Sequence, residues 1–146
     1  ILVAFVLVSS AILCMNMINQ FAALYILKSS QYLTVFKTNQ LYALSLFFLD
    51  LHRYGGLLNG LFFGLWLFPL GYLVIKSKYF PSIFGNILGI FLIAGCFGYI
   101  IDFLIAFLFP QYHLTISQLV ILPATVGEIS LLLWLLISGV KKNVSQ

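Results

Sequence analysis

Apolar residues run along this chain in four long blocks, and most of the polar residues fall between them. The first block, Ile1 to Leu27, would be about 40 Å long as a helix rising 1.5 Å per residue, enough to cross a bilayer with tilt. Lys28 closes it; Ser29 to Asn39 reads as a polar connection carrying Lys37, with Asn39 placed to cap the helix that follows. Residues 40–51 are apolar but interrupted by Ser45 and Asp50, a pattern that predicts a short interfacial helix or an extension of the next span. The second span covers 54–75 and ends at Lys76, Ser77 and Lys78. Pro81 and Ser82 suit the opening turn of the third, 82–109, which is almost wholly apolar for longer than a bilayer is thick. Pro110 to His113 then form a loop, and Thr115 with Gln118 gives the capping-box arrangement that opens a fourth span, 116–140, closed by Lys141 and Lys142. Pro69 and Pro123 should kink the second and fourth spans, which is tolerable where neighbouring helices satisfy the freed carbonyls.

These elements predict an all-α fold, a single polytopic transmembrane helix bundle over 1–146 with four spanning helices and a short interfacial helix. Composition makes the membrane reading firm. With 63% hydrophobic and 7% charged residues and a mean hydropathy of +1.15, the chain has too little polar surface to cover a soluble globule. The net charge of +4 sits at the ends of apolar runs and forms no basic face, which excludes nucleic acid as a partner and makes the lipid bilayer the expected one. Cys14 and Cys96 lie within spans at no metal-type spacing and read as small core residues, and no metal or cofactor is expected. The chain opens at Ile1 inside an apolar run without a charged leader region, so the expectation is of missing N-terminal helices and not of a signal peptide.

Orientation follows from the loops. Lys76, Lys78, Lys141 and Lys142 on the cytoplasmic side, against Lys28, Lys37 and Arg53 outside, place the C-terminus in the cytoplasm. The loop at His113, free of Lys and Arg, would then lie outside. Tyr25, Tyr32, Tyr54, Tyr72, Tyr79 and Tyr112 fall near the predicted boundaries, as an aromatic belt requires.

Small residues suggest how the helices pack. Gly56, Gly60 and Gly64 recur every four residues in the second span, with Gly71 near the same side. The third span has two such faces: Gly85, Gly89 and Cys96 on one; Gly95, Gly98 and Ala106, with Asp102, on the other. That helix should be central, and Asp102 should point at protein.

The polar groups within the spans are the candidate ligand or proton site. Asn16, Asn19 and Gln20 share a face of the first span, His52 and Asn59 one of the second, and Asp102 and Glu128 lie on the third and fourth. Helix rise puts Asp102 and Gln20 about 10 Å deep and Glu128 near mid-membrane, with Asp50, His52 and Arg53 at the outer mouth. This describes a pocket open to the outside. Each carboxylate reads equally as a functional group or as a buried partner of Arg53, Asn16, Asn19 or Gln20, and Asp50 with Arg53 as a simple i,i+3 contact. Three functions are consistent with the pattern. First comes a non-enzymatic protein that binds or moves a small ligand or proton through the pocket, using Asp102 and Glu128. Second is a structural or partner-binding subunit, with a homo-oligomer left open. Third is an intramembrane metal-dependent hydrolase using Asp50, His52, Asp102 or His113, in a chain without HExxH or GxSxG.

From Leu41 onward the stretches LYALSLFFLDLHRYG, GLFFGLWLFPLGYLVIKSKYFP, GNILGI, GYIIDFL and LPATVGEISLLLWLLISGVK resemble the family called domain of unknown function 4386, with the first span resembling it more loosely. The matching positions include Asp50, His52, Gly71, Tyr72, Pro81, Gly85, Tyr99, Asp102, Pro123 and Glu128, while Arg53 and Gly56 depart from the pattern. The resemblance implies mostly bacterial six-helix membrane proteins with both ends in the cytoplasm, and carries no activity.

Overall fold

The computed structural model describes residues 1–138, so the predicted end of the fourth span at Val140 and the Lys141–Lys142 pair lie outside the described residues. The described chain forms α1 (Leu2–Lys28), α2 (Ser30–Val35), α3 (Thr38–Lys76), α4 (Ser82–Leu108) and α5 (Pro110–Ser138). All but α2 are long and apolar enough to cross a membrane, so this is a multi-pass membrane protein of all-α architecture.

The largest departure from expectation is α3. Residues 40–51 do not form a separate interfacial helix; they run without a break into the second span, giving one helix of 39 residues. Nothing between Leu41 and Tyr54 breaks a helix, since Ser45, Asp50 and His52 all tolerate helical backbone and no Gly or Pro intervenes. Asn39 lies inside the first turn and does not cap it. The Gln40 side chain instead accepts from the Lys37 backbone N–H at 3.0 Å. The polar connection before it contains the short α2.

The fourth span also begins early, at Pro110 and not at 116. Proline disfavours helical backbone in the residue before it, so Phe109 leaves the helix (φ −137°, ψ 59°) and ends α4. The ring then suits the first turn of α5, where its missing N–H is no loss. Thr115 and Gln118 therefore lie within α5 and not at its start.

The helices stand in a row. α3 packs on α1 and on α4, and α4 packs on α5, each pair antiparallel. Ser9 faces Asn59 and Ser45 faces Ala23 at the first seam. At the second, Gly71 faces Gly89, and at the third Gly95 faces Ala124. The core of Leu67, Val74, Leu88, Leu92, Cys96 and Ala124 lies around α4. Tyr54 meets Phe107 near the end of α4, their tilted rings 6.1 Å apart between centroids. From that level α3 continues N-terminally, roughly 24 Å at 1.5 Å per residue, accompanied by the second half of α1.

Glycines set the close approaches. A Cβ on Gly71 would lie 2.7 Å from the Gly89 carbonyl oxygen, and one on Gly89 the same distance from that of Gly71, so the two backbones meet directly. Gly64 and Gly60 accommodate the Tyr99 side chain, and Gly85 lies against Phe80. On the other side of α4, Gly98 abuts the Val120 carbonyl. Gly56 corrects the expected packing face, because nothing lies within 4 Å of the position its Cβ would take. Its neighbour Gly55 makes the contact instead, admitting the Asn16 side chain. Cys14 is likewise exposed, whereas Cys96 is buried.

Candidate functional site

The polar residues divide between two separate places. The first is the α1–α3 seam. Asn16 is buried there, donating from Nδ2 to the His52 carbonyl at 2.8 Å, while His52 Nδ1–H donates back to the Asn16 carbonyl at 3.1 Å. Asn19 donates to Asn16 Oδ1 at 3.1 Å, Ser9 to Asn59 Oδ1 at 2.7 Å, and Ser45 to the Ala23 carbonyl at 3.2 Å. Asn16, Asn19 and His52 thus satisfy one another, Ser9 satisfies the Asn59 carbonyl, and together these contacts hold two helices in register. Gln20, half-buried one residue further on, stands at the edge of this network.

The second place is the α4–α5 seam. Asp102 Oδ1 lies 3.1 Å from His113 Nε2, with side-chain exposures of 10% and 13% respectively, so the pair is largely shielded. The contact is close but not aligned as a hydrogen bond, and neither atom has a hydrogen-bond partner elsewhere. Asp102 lies six residues before the end of α4, about 9 Å along the axis, and His113 is in the first turn of α5. The turn at Phe109 brings them together.

This pairing corrects the expected partners of Asp102. Asn16, Asn19 and Gln20 belong to α1, on the far side of α3, and Arg53 is exposed with its guanidinium 5.6 Å from the Tyr54 ring centroid. Nor do Asp50 and Arg53 form an ion pair; both side chains are exposed. The structure therefore does not join the two polar sets in one pocket. His113, expected in a solvated loop, is the residue that sequence reasoning undervalued, and its position depends on α5 starting at Pro110.

Glu128 stands apart from both. It lies next to Gly127, which faces Leu92, roughly 5 Å along the axis from the middle of α4. Its Oε1 is buried without a hydrogen-bond partner. With Trp66 and Leu70 of α3 and Leu131, Leu132, Leu135 and Leu136 of its own helix it lines an apolar groove of about 410 Å³. The Tyr99 phenol lies within electrostatic reach of both Glu128 and Asp102 and packs on Phe63 at 5.7 Å between ring centroids. Three protonatable side chains and an imidazole are thus distributed along α4 and α5. Among the described residues no group of three His, Cys, Asp or Glu side chains is placed to hold a metal ion.

A family model described as "Domain of unknown function (DUF4386)" matches residues 1–139. No curated protein and no solved structure matches the chain.

Proposed function

The chain belongs to the DUF4386 family, whose description names no activity, and we propose that this member is a non-enzymatic membrane protein that binds and passes protons along the α4–α5 seam. Asp102 and His113 are the outward-facing site, Glu128 is the inner one, and Tyr99, packed on the α3 side of α4, lies at an intermediate level within electrostatic reach of both carboxyl groups. The observation that carries the reading is the Asp102–His113 pair at 3.1 Å, a carboxylate and an imidazole shielded within an apolar helix seam. Such groups are costly there and usually serve a pathway. A proton shared by that pair can enter at the Phe109 turn, while the α1–α3 network, already satisfied, acts as a fastener. The loop with Lys76 and Lys78 faces the cytoplasm in this reading, and the Phe109 turn faces outward, in a bacterial cell membrane.

The test is proton flux in liposomes loaded with a pH-sensitive dye, driven by a potassium diffusion potential. The parent should conduct, Asp102→Asn and Glu128→Gln should each lose most of the flux, and Asn59→Ala should keep it. Equal flux in the parent and both carboxylate variants overturns the reading.

A further inference from the structure

Glu128 sits in an environment that the relay alone does not account for. The groove between α3 and α5 has walls of leucine and indole, and among the described residues that line it Glu128 alone has an ionisable side chain. Two buried polar atoms there lack partners: Glu128 Oε1, an acceptor, and Trp66 Nε1, a donor. Among the described residues no Lys, Arg or His forms an ion pair with Glu128. The titratable group facing it from α4 is Tyr99; the α3 side offers Phe63, Trp66 and Leu70, and α5 offers leucines. An ionised carboxylate in such a place requires a cation, and the mostly apolar lining of the groove suits a hydrated one poorly.

We propose that this groove binds an amphiphilic organic cation, its apolar body against Leu131, Leu132, Leu135 and Trp66 and its positive centre at Glu128. A lipid acyl chain fills the apolar part equally well but leaves the carboxylate without a counter-charge. Trp66 also favours a cation, because its indole face attracts positive charge and is held by Phe63, with ring centroids 5.6 Å apart. The inference rests on the reading of Glu128 as a protonatable site and gives that site a substrate class. Proton and cation would compete for the same carboxylate.

Equilibrium dialysis of the full chain in nanodiscs tests it, with tetraphenylphosphonium as the probe and tetraphenylborate, its counterpart of opposite charge and similar shape, as the control. Saturable binding of the cation at one site per chain is expected, weakened at least tenfold in Glu128→Gln, retained in Glu128→Asp and Asp102→Asn, and accompanied by proton release at low pH. Tetraphenylborate should show only unsaturable partition. Equal saturable binding of both probes, or unchanged cation binding in a folded Glu128→Gln, overturns the proposal and leaves lipid as the occupant. If cation binding follows this pattern while proton flux is absent, the relay falls and the groove stands. Flux without cation binding reverses that outcome.

Discussion

Asp102 of α4 and His113 of α5 meet across the Phe109 turn with 3.1 Å between Oδ1 and Nε2, and neither group has an alternative hydrogen-bond partner at those atoms. Removing either one leaves the other unpaired in an apolar seam. In a double-mutant cycle of Asp102→Asn and His113→Ala, measured by reversible unfolding in mixed micelles, the two changes should be non-additive. A coupling of roughly 0.5–3 kcal/mol is expected for groups in direct contact. Additive effects would mean that the pair does not interact in the membrane.

Gly71 and Gly89 approach so closely that a Cβ on either would lie 2.7 Å from the opposing carbonyl oxygen, a backbone atom that cannot rotate away. Gly71→Ala and Gly89→Ala should each cost roughly 1–3 kcal/mol through forced separation of α3 and α4. Gly56→Ala meets nothing within 4 Å and should be neutral or stabilising by roughly 0.5–1 kcal/mol, the ordinary helix gain over glycine. Thermal unfolding in one detergent separates the cases, and a loss at Gly56 matching that at Gly71 would contradict the seam.

The difference between Gly55 and Gly56 shows where the sequence stops being informative. A spacing of four finds a helix face, but one residue turns the side-chain direction by about 100°, and only the partner helix decides which glycine is used. The four spans were legible because a bilayer demands long apolar runs, a constraint written directly into composition. Their ends were less so. A helix inside a membrane need not stop at His52 when α1 offers it a partner, and Pro110 reads equally as loop or as first helical residue. The Asp102–His113 pair was hidden for that second reason: moving the start of α5 from 116 to 110 turns His113 from loop residue into seam residue.

Asn16 exchanges hydrogen bonds with the backbone and ring of His52 and accepts another from Asn19, all within a space left open by Gly55. Asn16→Ala should weaken the α1–α3 seam by roughly 0.6–1.7 kcal/mol, between the average and the largest value found for polar contacts between membrane helices. It should leave proton flux per folded molecule unchanged, since α3 separates Asn16 from the α4–α5 seam. Unaltered stability with lost flux would reverse the assignment, making this network the site and not the fastener.

Glu128 and Asp102 should differ sharply toward carbodiimides. A carbodiimide adds to a protonated carboxyl: the acidic proton moves to one nitrogen, the carboxyl oxygen bonds to the central carbon, and the adduct rearranges to a stable acylurea when water and amines are excluded. Glu128 has those conditions, lining an apolar groove open along its leucine wall, with no described Lys or Arg paired to it. Asp102 is faced by an imidazole at 3.1 Å that stands in the way of reagent. Dicyclohexylcarbodiimide, which reaches its target through lipid, should therefore leave one adduct on Glu128 by peptide mass spectrometry, and a water-soluble carbodiimide should leave little. The yield should fall as pH rises, because the reaction needs the carboxyl proton, and it should fall in the presence of tetraphenylphosphonium if the cation occupies the same groove. An adduct on Asp102 with Glu128 unmodified would show that the lipid-accessible acid of this protein lies at the α4–α5 turn, and that the groove along α5 is closed in the membrane.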